Sequence, residues 1–326
     1  MSLTIPLRLA PPQRPLVVTI LSRQNSTNVN HNLTRIQKVN NVAGRLGGTY
    51  ANGYKQSDVD GLHGRTALVT GPGTGGVGFE VFRAMALASA RVLDLSRKEE
   101  NAEEAIAMIR ESGTQNGIVP GVAFVQCDHG DLKVDKRVVD QISLQEGRMD
   151  IVICGAGIGV NKYGETVDGL DRHMTVNHLG HFLLVNHVFF FSVDELRDSS
   201  ISAVGLSGRS KLANLLFTKS EQHQFKAAYG PLLGTLFKHT VVPFMRAPDQ
   251  GSLSPLWAAT SAELDAHNYE GRYFTDPGEL GEENDLACDP ELGRNLWNLS
   301  ERIIREKVGP DALLSWHAWT TVWDTK

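Results

Sequence analysis

The chain has 326 residues, 41% of them hydrophobic and 21% charged, enough to bury a sizeable core as one large α/β domain or two small ones. It contains no run of 18 or more apolar residues, which argues against a membrane span, and its three scattered cysteines, Cys127, Cys154 and Cys288, fit neither a disulfide framework nor a zinc cluster. The net charge of −5 is unevenly placed: no acid precedes Ser57, seven basic side chains do, and the rest of the chain carries −12, a sign that argues against a nucleic-acid partner.

The seven are Arg8, Arg14, Arg23, Arg35, Lys38, Arg45 and Lys55. An acid-free, Arg-bearing and Asn/Ser-rich start is read as a disordered or irregular leader over residues 1–60, with an organelle transit segment as the alternative. Leu16 to Leu21 is too short and too poorly preceded for a secretory signal. Few cysteines point to a reducing compartment, and so to a cytoplasmic location.

The ordered body is expected from residue 61 to 310. Arg65 to Gly71 (RTALVTG) is a short apolar run that ends in glycine, the pattern of a buried strand. Phe79 to Ser89 has helical apolar spacing, Ala90 to Ser96 reads as a second strand, and Glu99 to Arg110 as a strong helix. Val122 to Cys127 and Met149 to Cys154 give the third and fourth strands. Strands alternating with helices at this spacing predict an α/β fold, a Rossmann-like doubly wound parallel sheet covered on both faces.

Between the first strand and its helix lies Thr70-Gly71-Pro72-Gly73-Thr74-Gly75-Gly76-Val77-Gly78. Glycines here let backbone N–H groups approach a pyrophosphate, and the following helix points its positive end at the same anion; an ordinary tight turn is the competing reading. Arg97 follows Ser96 at the end of the second strand, where an acid would grip a ribose 2′-hydroxyl and a base a 2′-phosphate. The pair favours NADP over NAD. A solvated charge at a helix start is the plainer reading of Arg97, and Asp94, inside the strand, is a misfit rather than a ribose ligand.

Thr70 to Gly78, Cys127-Asp128, Cys154-Gly155-Ala156-Gly157, the run VNHLGHFLL from Val176 to Leu184 and the run SKLANLL from Ser210 to Leu216 together resemble the short-chain dehydrogenase/reductase family. The likeness is to its retinol-dehydrogenase-like branch and fungal secondary-metabolism relatives, and it covers about Gly61 to Lys307. It implies a cofactor site formed by Gly71, Gly75, Gly76, Val77, Gly78, Ser96, Arg97, Asp128 at the adenine, Gly155, Ala156, Gly157, Asn177 and Lys211. As a strand-end residue, Asp128 also reads simply as a turn former. The resemblance further implies hydride exchange between a nicotinamide and a small apolar carbonyl or alcohol, with a tyrosine handling the proton.

Two features depart from that pattern. Lys211 and Asn177 fit their places, but the tyrosine position, four residues before Lys211, holds Ser207, a far weaker acid with a shorter reach. The family's fifth strand and its serine have little room in Phe189 to Gly205, where Ser192, Ser199, Ser200 and Ser202 are explained as well by turns and caps. No Pro-Gly pair closes a sixth strand between Lys226 and Gly251. The sheet is therefore expected to be incomplete in its second half, with two core segments missing. The functional alternatives are an NADP-dependent oxidoreductase using Lys211, Asn177 and Ser207, and an inert relative that keeps nucleotide binding alone.

Of the remaining residues, His178, His181 and His187 lack a carboxylate at ligand spacing, so no metal is expected. Phe189-Phe190-Phe191 reads as core. Trp316, Trp319 and Trp323 in a tail over 311–326 form a helical stripe that would dock on the body or on a second copy in a homo-oligomer. The expected partner is a small-molecule substrate.

Overall fold

The computed structural model describes residues 16–19, 53–59, 61–158, 162–188, 247–267, 269, 272–281 and 289–314. Strands β1 (Leu16–Thr19), β2 (Thr66–Thr70), β3 (Arg91–Ser96), β4 (Gly121–Gln126) and β5 (Ile151–Cys154) form one parallel sheet in the order β1-β5-β2-β3-β4. Helices α1 (Val77–Leu87), α2 (Glu99–Gln115) and α3 (Leu132–Glu146) connect β2 to β3, β3 to β4 and β4 to β5. The four strands and the helices α1 and α2 stand where the hydrophobic runs predicted, with ends shifted by a few residues, while α3 was not singled out in the sequence.

Apolar runs become central strands because both faces of the sheet are covered. Side chains alternate: Ala67 and Val69 of β2, Val92 of β3 and Ile151 and Ile153 of β5 join Phe79, Val81, Phe82 and Met85 of α1 in one core. Leu68, Leu93, Leu95, Val152 and Cys154 face the other way, against Leu132, Val139 and Ile142 of α3. Local signals set the helix ends. Asp131 caps α3, its side chain accepting from the N–H groups of Lys133 and Val134, and Gly147 ends it in the left-handed region at φ +60°.

After β5, a helical turn at Arg172–Met174 passes through a π-helical turn, Thr175–Leu179, into α4 (Gly180–Val188). Helix α5 (Leu253–Thr260) lies against β1 and places Leu256 and Ala259 in the first core. A short antiparallel pair follows, β6 (Phe274–Asp276) and β7 (Glu279–Leu280), with Phe274 edge-on to Trp257 at 5.0 Å. Helix α6 (Pro290–Lys307) sets Trp297 edge-on to Phe182 of α4 at 4.6 Å and Ile304 in the second core.

Within residues 1–60, read from sequence as a disordered or irregular leader, Leu16-Val17-Val18-Thr19 is a strand in register with β5, and Gln56–Asp58 form a 3-10 turn. The physical reason is composition: Leu-Val-Val-Thr is a β-branched apolar run with a parallel edge beside it. The segments expected to be missing strands, together with Phe189-Phe190-Phe191 and the Trp316, Trp319 and Trp323 stripe, lie outside the described residues.

Candidate functional site

β2 and β5 are parallel neighbours, so the turns that follow them emerge side by side at the same end of the sheet. Gly71 has φ +65°, and a Cβ added there would fall 2.8 Å from the Cα of Ala156. The two turns are thus in backbone contact, which only glycine at position 71 allows. Gly75 is also left-handed, at φ +74°, with open space around it. Gly78 packs onto the turn itself: a Cβ would meet the Gly71 carbonyl oxygen at 3.2 Å and the Pro72 Cα at 3.3 Å. Gly76 is the N-cap of α1 and offers no side-chain cap, so the N–H groups of Val77 and Gly78 keep their capacity to bind an anion at the positive end of the helix.

A buried polar chain fastens the second turn. The Thr70 hydroxyl accepts from the N–H groups of Gly155 and Ala156, both at 2.9 Å. Its own proton goes to His181 Nε2 at 2.8 Å, a better acceptor than the Ile153 carbonyl at 3.4 Å. His181 is then neutral, with its proton on Nδ1 directed at the Asn177 carbonyl oxygen 3.2 Å away. Burial drives the His181 pKa down to about 3, with further lowering by His129, so this tautomer holds across the physiological range. Asn177 sits in the π-helical turn. Its side chain accepts from the Ile158 N–H at 2.7 Å and donates to the Ile158 carbonyl at 2.9 Å, gripping the chain just past Gly157.

At the end of β3, Ser96 is half-buried and Arg97 exposed, on the strand next to the one that leads into the Gly71–Gly78 turn. Asp94 shares the face of Val92, is fully buried, and bonds Ser96 with one oxygen while Oδ1 has no partner. Burial raises its pKa to about 6. The Asp128 carboxylate accepts from the Gly130 N–H at 2.9 Å, so the turn-forming role is filled.

Three side chains the sequence reading did not join meet below β4: Cys127 Sγ and His129 Nδ1 each lie 2.8 Å from Asp135 Oδ1. All three are buried and their donor atoms lie within 4.8 Å of one another. Burial and the Asp135 carboxylate push the Cys127 thiol up, so it stays protonated and donates. Burial alone would lower the His129 pKa, but Asp135 and, less strongly, Asp128 together raise the value. Three donors fall one short of a closed tetrahedral zinc set, and the start of α4 closes over the group, leaving a Cβ on Gly180 only 2.7 Å from Asp135 Oδ2. The triplet is a hydrogen-bonded cluster. The spacing Cys-x-His, followed by Asp six residues later at the start of a helix, was its signal. The three histidines between Val176 and Val188 serve separate contacts: His178 reaches Ser300 at 2.7 Å, His181 reaches Thr70, and His187 reaches the Ala312 carbonyl at 2.7 Å.

The structure therefore brings Gly71, Gly75, Gly76, Val77, Gly78, Gly155, Ala156, Gly157 and Asn177 to one end of the sheet, with Ser96, Arg97 and Asp128 at the ends of the neighbouring strands. Ser207 and Lys211 lie outside the described residues. Residues 65–198 match the model of the short chain dehydrogenase family. The chain is 27% identical to a short chain dehydrogenase/reductase of Colletotrichum higginsianum, over 77% of this chain and 78% of that one. It is 28% identical to retinol dehydrogenase 14 of Homo sapiens, over 74% and 87%, and 25% identical to an oxidoreductase of Neurospora crassa named as mitochondrial, over 93% and 87%. Family match and glycine-turn geometry fall on the same strands and helices, and over residues 65–198 the chain is similar to the short-chain dehydrogenase/reductase family, with retinol dehydrogenases among its relatives.

Proposed function

We propose that this protein is an oxidoreductase that takes NADP(H) in preference to NAD(H) and acts on a carbonyl or alcohol of a small apolar molecule in secondary metabolism. The observation that carries the reading is the uncapped N-terminus of α1 behind the Gly71–Gly78 turn, with exposed Arg97 at the end of β3. The turn would hold the pyrophosphate, Ser96 and Arg97 the 2′-phosphate, Asp128 the adenine and Lys211 the nicotinamide ribose. When bound, the cofactor supplies or accepts a hydride at its nicotinamide ring. Ala156 and Ile158, held by Thr70 and Asn177, fix the wall beside it. The mitochondrial name of one fungal relative keeps an organelle beside the cytoplasm as its location. Among the described residues no helix is long and apolar enough to cross a membrane.

A second reading has its own observation: Ser207 stands four residues before Lys211, so the phenol that would move the proton is replaced by an alkyl hydroxyl. On that reading the protein binds the nucleotide without turnover. Fluorescence titration with NADPH and NADH tests what the two share. Tighter NADPH binding in the unmodified protein, reversed by Arg97→Asp, is the expected result; equal affinity before and after the substitution overturns the assignment.

A further inference from the structure

The strand β5 has all four residues, Ile151 to Cys154, buried, and it pairs on one side with β2. Its other side is taken by β1, residue for residue: Leu16 beside Ile151, Val17 beside Val152, Val18 beside Ile153 and Thr19 beside Cys154. Among the described residues no other strand borders β5 on that side, so without β1 they would leave β5 at the open edge of a parallel sheet with both faces packed. Buried peptide groups left unpaired there are costly, and an open apolar edge invites strands from other molecules. Two further contacts tie β1 to the interior. Helix α5 lies against β1 while its Leu256 and Ala259 sit in the core with Phe79 and Val81 of α1. The helical turn before α5, Pro248–Gly251, approaches the first residue of α1 so closely that a Cβ on Gly251 would meet Val77 Cγ2 at 2.8 Å.

We infer that the N-terminal segment is a built-in strand donor: residues Leu16–Thr19 close the β5 edge of the sheet, and the folded protein keeps them. A leader cut before Arg14 leaves this arrangement intact. A cut after Thr19 opens the β5 edge and removes the surface on which α5 rests. Through Val77, that loss reaches the start of α1 and the nucleotide turn. The inference is independent of which nucleotide or substrate the site takes.

Hydrogen exchange on the full chain is the first test: the amides of Val17, Val18 and Thr19 should be protected together with those of Ile151 to Cys154. Exchange of Val17–Thr19 at unprotected rates overturns the inference. Deleting residues 1–12 should leave the protection of Ile151–Cys154 and the unfolding midpoint unchanged. Deleting residues 1–24 should reduce that protection at least about tenfold and favour association of two copies through the opened edge, seen by light scattering. If that deletion is insoluble, Val17→Pro and Val18→Pro in the full chain carry the test. Neighbouring residues of a strand direct their N–H groups to opposite sides, so one of the two prolines removes a ladder hydrogen bond to β5. Unchanged protection in both proline variants, or in the longer deletion, overturns the inference.

Discussion

Gly71 and Gly75 stand in the same turn with the same left-handed backbone, at φ +65° and +74°, but only Gly71 touches another part of the chain. Alanine at either position carries the left-handed penalty of about 1–2 kcal/mol, offset by the same loss of unfolded-state freedom. At Gly75 nothing lies within 4 Å of the new methyl, so the cost ends there. At Gly71 the methyl would stand 2.8 Å from Ala156 Cα, 3.0 Å from its Cβ and 3.2 Å from its N, and the obstacle is largely backbone rather than a flexible side-chain tip. Forcing such an overlap costs a further ~1–3 kcal/mol.

Urea unfolding of Gly71→Ala and Gly75→Ala, compared at equal m-values, should therefore differ by about 1–3 kcal/mol, with Gly71→Ala the less stable. NADPH titration should diverge in the same sense, because separating the two turns displaces the Gly155–Gly157 wall from the helix start. About 1.4 kcal/mol of that strain, if it reaches the site, weakens binding tenfold. Equal losses in the two variants, to within about 0.5 kcal/mol, would refute the close approach of the turns and with it the geometry of the site.

Two further outcomes follow from other residues. Asp94 has its folded-state pKa raised to about 6 by burial, so the folded protein holds a proton that the unfolded chain releases near pH 4; stability is highest in acid and falls as pH rises toward 6, by about 2–3 kcal/mol. Asp94→Asn should remove that slope and stabilise the protein at pH 8 but not at pH 4; parallel stability curves for the two proteins would show that Asp94 is not buried as described. Ser207→Tyr should lift NADPH-dependent ketone reduction above background yet leave it below a common kcat of about 10 s⁻¹; an unmodified chain already at that rate and indifferent to the substitution would show that the proton comes from elsewhere.

The nucleotide half of the fold was legible because its signals are local. The runs RTALVTG and MDIVIC are largely apolar, which marks strands covered on both faces, and Gly71 to Gly78 punctuate the step from strand to helix. The strand at Leu16–Thr19 was not legible as part of the sheet. It is four residues long, sits in an acid-free stretch whose average composition outweighs it, and owes its structure to the distant edge of β5. Secondary structure decided by a long-range partner leaves little periodicity to read.

The block VNHLGHFLL shows a different limit. As a string it carries the family resemblance, and its spacing offers no zinc ligand set, but it does not say that its two histidines and its asparagine have unlike tasks. That division comes from packing. The π-helical turn turns Asn177 toward Ile158, His178 lies against Phe182 and meets Ser300 of α6, and His181 reaches across to Thr70 at the end of β2. Because the Thr70 hydroxyl already accepts two backbone N–H groups, its single proton settles the tautomer of His181, and that tautomer in turn directs Nδ1–H at the Asn177 carbonyl. One threonine thus ties the two glycine turns at this end of the sheet to the helix that follows them. The chain of bonds is neutral throughout: burial holds His181 far below its usual pKa and His178 down to about 4, so the wall of the site keeps its shape across the pH range in which Asp94, a strand away, changes charge.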